Sequence, residues 1–111
     1  MNINQIIETA LGEVTEHIWP AVCPDAEAPD KYIVYNPDVE TPGLYAEDRD
    51  ENWVCYMQIH LYTRENYLKD KKIIKEKLRV AGFILEDIET LYEKDSKYHH
   101  ICFECSIEED E

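Results

Sequence analysis

The side chains with the most reactive chemistry in this 111-residue sequence are its four cysteines and four histidines, and Cys102 and Cys105 stand at a CxxC spacing from which zinc sites are built. The run that holds them, Tyr98-His-His-Ile-Cys-Phe-Glu-Cys-Ser-Ile107, alternates as a β-strand does, so residues three apart point to opposite faces. One zinc ion could not readily take both thiols. Cys23 and Cys55 stand apart from this pair, and all four read as reduced thiols that pack like small apolar side chains. His99 and His100 adjoin each other but face opposite ways in a strand, which argues against a shared metal or proton relay. His60 reads as a lone strand histidine near the sheet surface, between two tyrosines of its own face. A metal-dependent enzyme using these histidines with the carboxylates from Glu86 to Glu89 is a weak rival, because no spacing fixes its ligands. Gly12, Gly43 and Gly82 are the three glycines; none lies in a phosphate-cradling run, and no nucleophile turn is recognisable. No catalytic residue, cofactor or metal ligand is expected, and the chain does not read as an enzyme.

The stronger signal is charge. The formal net charge is -14, yet seven of the eleven lysines and arginines fall between Arg64 and Arg79. That run reads as one helix, with Asn66 as its N-cap, Tyr67, Ile74, Leu78 and Ala81 along its apolar side, and an end near Gly82. Lys72, Lys75 and Arg79 share the solvent side. Only Glu65 precedes a lysine, Lys69, by four residues in the favourable order, so most of this charge lacks a partner within the helix. An external acidic partner would supply one. Net charge this negative repels phosphate backbones and anionic lipid at long range, which disfavours direct nucleic-acid and membrane contact. The sequence also shows neither a spanning run of about 18 apolar residues nor a secretory leader pattern, and the expected location is the cytoplasm.

The elements that must position these charges follow from periodicity. Ile3, Ile6, Ile7, Ala10, Leu11, Val14 and Ile18 recur at helical spacing, so a helix is expected from about Ile3 to His17, opened by an Asn2–Gln5 capping box and closed at Trp19-Pro20. Pro20 to Asp30 reads as a loop, Lys31 to Tyr35 as a short strand, and residues 38–52, with six acids, Pro42 and Gly43, as a mobile acidic connection. Trp53 to Tyr62 is the clearest strand, with Trp53, Cys55, Met57, Ile59 and Leu61 facing the core; Val54, Tyr56, Gln58, His60 and Tyr62 form an aromatic second face open to a neighbour. Phe83 to Tyr92 reads as a strand with a bulge near Glu86-Asp87, Glu93 to Lys97 as a turn, and residues 108–111 as a frayed acidic tail after the last strand. The chain is therefore one domain, 1–111, of α+β class. Its two helices should pack on one face of a four-stranded, mainly antiparallel sheet in the order α-β-β-α-β-β, with one parallel pair across the second helix.

Tyr32-Ile-Val-Tyr-Asn36, Ile59-His-Leu-Tyr-Thr63, Ile73-Ile-Lys-Glu-Lys-Leu78 leading to Ala81-Gly-Phe83, and Tyr92 with Tyr98-His-His-Ile101 together give the sequence a family likeness. It resembles the small tail-completion or head-tail joining proteins of long-tailed bacteriophages, over nearly its whole length but through short, degenerate patterns. The resemblance implies a structural virion subunit without catalysis, found in the host cytoplasm during assembly. Such a subunit would form a homo-oligomeric ring and contact tail-tube or connector proteins. A ring needs two unlike patches on each subunit. The expected pair is Lys72, Lys75 and Arg79 on the helix against Glu47, Asp48, Asp50 and Glu51 in the acidic connection. The alternative is an acidic DNA mimic that inhibits a DNA-binding protein, supported by the net charge and opposed by the basic helix.

Overall fold

A computed structural model describes residues 2–42 and 52–110, apart from the side chains of 52, 109 and 110. Asn2 caps helix α1 (Ile3–Leu11): its side chain accepts from the Gln5 backbone N–H, and the Gln5 side chain returns the bond, the reciprocal arrangement the sequence spacing predicts. The helix stops at Leu11 with Gly12 as its C-cap, six residues short of the expected His17. Local side-chain chemistry accounts for the difference. The Thr15 hydroxyl takes the His17 N–H and donates to the Lys31 carbonyl, and the His17 carbonyl accepts from Ile33, which draws the chain into the sheet. Val14 still reaches the core from a turn, so the apolar periodicity outruns the helix.

The drawn-in segment forms a strand that the sequence reading places in a helix end and loop. Strands β1 (Ile18–Pro20), β2 (Lys31–Pro42), β3 (Asn52–Thr63), β4 (Ile84–Glu93) and β5 (Tyr98–Asp110) make one five-stranded sheet in the order β1-β2-β3-β5-β4. The count of four is therefore corrected to five. The parallel pair is β1 with β2, whereas the remaining neighbours are antiparallel and β5 separates β3 from β4. Residues 38–42, expected in the acidic connection, extend β2 against β3 beyond a register shift at Pro37/Val39. Residues 108–110, expected to fray, continue the β5 ladder to Asn52. The predicted bulge near Glu86-Asp87 is present as a register shift between Leu85 and Asp87.

Helix α2 (Tyr67–Val80) begins at Asn66, whose side chain accepts from Leu68 and Lys69. It ends in a Schellman pattern: Gly82 donates to the Arg79 carbonyl and Phe83 to that of Leu78. Gly82 sits at φ +105, which an L side chain adopts only with strain, although a Cβ there would meet nothing closer than Ile107 Cδ1 at 3.8 Å. Gly82→Ala is accordingly expected to destabilise the fold by about 1–2 kcal/mol through the backbone alone. Urea unfolding should show a lower midpoint at an unchanged m-value; an unchanged midpoint would contradict this.

Both helices cover the same face of the sheet. Ile7 and Leu11 from α1, Ile74 and Leu78 from α2, and Tyr35, Ile59, Ile101 and Phe103 from the strands form one buried cluster. The β3 residues Cys55, Met57, Ile59 and Leu61 are buried as their alternation predicts, while Trp53 is only partly buried. The opposite face has no helix over it among the described residues.

Candidate functional site

Three of the predicted contact residues lie on the outer side of α2, and the structure separates their circumstances. Among the described residues Lys72 and Lys75 have no ion-pair partner, with Lys72 exposed and Lys75 partly buried. Arg79 differs from expectation, because its guanidinium lies 3.3 Å from Glu76 one turn earlier. That pair is fully at the surface, where such contacts hold little energy, so the guanidinium stays available. Glu65, expected to serve Lys69, turns to Lys31 at 3.5 Å, where Asp70 also binds at 3.1 Å. Lys77 pairs with Glu13 in the turn that follows α1, which holds the Glu13 carboxyl below its ordinary value, and Lys71 donates to Thr90. The inner cations thus tie α2 to its own molecule, and the outer ones do not. Glu47, Asp48, Asp50 and Glu51, the expected acceptors, lie outside the described residues.

The described structure carries its own acidic surface on the far side of the sheet. Strands β4 and β5 hold eight acids and neither lysine nor arginine, whereas α2 holds six cations and two acids. Register places Asp87 opposite Glu104, Glu89 opposite Cys102 and Glu108 opposite Val54, all on the uncovered face. The Cys102 thiol is pushed above its ordinary value by burial first, and then by Glu104, Glu89, Asp87 and Asp38 around it. Like charges directly opposite, as at Asp87 and Glu104, cost stability in an isolated sheet.

Beside these carboxylates runs a chain of rings. Trp19 contacts Tyr32 at 6.1 Å, Tyr32 stacks on Tyr62 at 4.8 Å, and Tyr62 stacks on His100 at 4.2 Å, with Tyr98 edge-on to both tyrosines. Arg64 lies over the Tyr98 ring at 3.9 Å, a cation–π contact at the margin of the stripe. Stacking withdraws these rings from water: burial is the first cause of the Tyr32 hydroxyl being pushed up to about 12.

His60 is not the lone histidine that its own strand suggests. The β3–β5 register sets it diagonally from His100, and His60 Nδ1 lies 2.8 Å from His100 Nε2. With the Gln58 carbonyl oxygen accepting from His60 Nε2 at 3.2 Å, His60 Nδ1 must accept from His100 Nε2–H. His100 Nδ1 then faces Glu93 at 3.6 Å, so one proton added there extends the chain without breaking it. Alternation alone assigns both histidines to the uncovered face; their meeting depended on a register between strands forty residues apart.

Burial is the leading cause that lowers the pKa of each histidine; the partner imidazole adds to it at His60, while Glu93 and Glu89 oppose it at His100. Below the ordinary histidine value of about 6.5 the unfolded chain therefore binds more protons than the folded one. The stabilisation is complete above that value and is lost as pH falls through the depressed folded values. Lowering the pH from about 7.5 to about 5.5 also begins to protonate carboxylates and so eases their mutual repulsion in both proteins, and the readout is therefore a difference: wild type should lose more thermal stability over this interval than His60→Gln/His100→Gln. Equal losses would contradict the assignment.

His99 lies on the other face, against Tyr67 and Tyr92, as strand alternation requires. Cys102 and Cys105 likewise face opposite ways: Cys105 is in the core, where burial foremost pushes its thiol up to about 12, and Cys102 belongs to the uncovered face. Such thiols are poor nucleophiles and poor metal ligands at neutral pH. Among the described residues no group of three or more His, Cys, Asp or Glu side chains is placed to hold a metal ion, and no helix is long and apolar enough to cross a membrane.

Comparison with protein-family models and with curated proteins gives no match to this sequence.

Proposed function

We propose that this chain is a non-catalytic structural subunit that assembles with copies of itself into a ring, serving as a tail-completion or head-tail joining component of a long-tailed bacteriophage virion. The observation that carries the self-assembly is the separation of charge onto opposite sides of one two-layer domain: Lys72 and Lys75, without an ion-pair partner among the described residues, on the helical side, and carboxylates of β4 and β5 on the other. Unlike patches on opposite sides produce head-to-tail contacts. Such contacts close into a ring when each step includes a fixed rotation, and otherwise run on as a filament. The phage assignment rests on the sequence resemblance, with tail-tube or connector proteins as further partners and assembly in the host cytoplasm. An acidic wall would also keep DNA from adhering as it passes.

Negative-stain electron microscopy of concentrated protein at low ionic strength is expected to show closed annular particles that disperse as salt approaches about 0.5 M, where screening shortens the reach of charge to a few ångströms. Open filaments would remove the ring. Genes for portal, capsid or tail-tube proteins beside this one would support the virion context, and a restriction or nuclease operon would oppose it.

The acid-only strands β4 and β5 favour one other reading, a DNA mimic whose carboxylates occupy the basic cleft of a DNA-binding protein. Pull-down at rising salt separates the two: a mimic retains a DNA-binding protein, whereas a joining subunit retains itself or a tail component.

A further inference from the structure

The sheet face that lacks a helix has an apolar half and an acidic half, and the outer stripe of α2 has the matching order. Leu68, Lys72, Lys75 and Arg79 follow one another at helical spacings of four, three and four, and Leu68 is 63% exposed, which is costly for a leucine without a neighbour. On the sheet, the rings of Tyr32, Tyr62 and His100 lead along β5 to Glu104, with Glu89 and Asp87 beside it on β4. The lengths agree as well. Leu68 to Arg79 spans about 16 Å of helix axis, and His100 to Glu104 about 13 Å of strand.

We infer that the uncovered sheet face is the docking surface for α2 of a second copy of this chain, with Leu68 on the aromatic stripe and Lys72, Lys75 and Arg79 over the carboxylates of β4 and β5. This rests on the self-assembly reading above and names its acceptor, which the sequence alone places instead in the acidic connection at residues 47–51. The second copy fits better than an unrelated basic partner because both halves of the match are present on every protomer. Each copy then adds a helical third layer to its neighbour's sheet. The opposed carboxylates of Asp87 and Glu104 acquire the cations they lack among the described residues of the protomer, and the half-buried rings lose their remaining water.

A charge exchange tests this. Lys72→Glu/Lys75→Glu replaces two cations of the helical stripe by acids, and Asp87→Lys/Glu89→Lys replaces two carboxylates of the sheet face by cations, so each variant alone should weaken self-association on the order of a hundredfold. Mixed in equal amounts, each variant offers the other its complement. Light scattering on the mixture should recover wild-type assembly, with circular dichroism verifying that each variant is folded. If the helix variant dissociates while Asp87→Lys/Glu89→Lys still assembles, the acceptor lies elsewhere and this inference is overturned, with self-assembly intact. If the helix variant assembles like wild type, α2 is not the docking element and the inference is likewise overturned; a wild-type chain that stays monomeric would remove the self-assembly reading itself. A photo-crosslinker substituted at Leu68 in the otherwise native chain provides a second readout, independent of whether the β4 variant folds. Its intermolecular products should map to Tyr32, Tyr62 or β5, and products confined to residues 38–51 would overturn the docking.

Discussion

Lys72→Glu/Lys75→Glu is expected to convert an assembling protein into a folded monomer. Neither lysine is bound to a carboxylate of its own molecule among the described residues, so their reversal breaks no internal ion pair, and exposed helical substitutions away from special contacts usually change stability by no more than about 0.5 kcal/mol. The interface responds differently. Two attractions become two repulsions against a neighbour of formal charge -14, and like charges set against each other at an interface cost several kcal/mol. Urea unfolding should therefore overlay that of wild type measured under dissociating conditions, while the dissociation constant rises on the order of a hundredfold. A reduced unfolding midpoint with assembly retained would reverse the assignment, making these lysines internal supports.

The complementary result comes from the core. Phe103 is fully buried in the middle of β5, between β3 and β4 and beneath both helices, and it pairs directly with Ile59 and Ile88. Phe103→Ala removes a large ring from a site whose walls are strands held by ladders on both sides, so the cavity cannot collapse freely. A loss of about 3–5 kcal/mol is expected, a large part of the stability of a domain this size. Assembly should fail along with folding, seen as a lower thermal midpoint at every salt concentration. A loss below about 1 kcal/mol would mean that the core is looser than the burial of Phe103 indicates. Together the two variants separate a subunit that cannot associate from one that cannot fold.

How far these surfaces were legible beforehand depended on whether each signal was local. The Asn2 and Asn66 caps, the Gly82 stop and the bulge at Glu86-Asp87 each depend on a few adjacent residues, and each is present where the sequence places it. Strand alternation also assigns His99 and His100 to opposite faces correctly. What escaped depended on contacts between distant segments. β1 exists because His17 and Ile18 meet Ile33, a partnership invisible in a helical pattern that continues through Val14. The His60–His100 hydrogen bond and the gathering of Asp87, Glu89 and Glu104 on one face need the register of β5 between β3 and β4. In and just before α2, Arg79 and Glu65 find partners at spacings or on elements that a count of i,i+4 pairs omits, whereas Lys72 and Lys75 remain outward as the pattern predicts. The acidic counterpart was sought in a stretch rich in acids along the sequence; the described counterpart is instead collected by strand pairing.

Sedimentation velocity of the wild-type chain over a wide concentration range, at low and at high ionic strength, tests self-complementarity most directly. The account predicts a species heavier than the 13.1 kDa protomer that grows with concentration at low salt and dissociates as salt rises. A single 13.1 kDa species at every concentration and salt would contradict it.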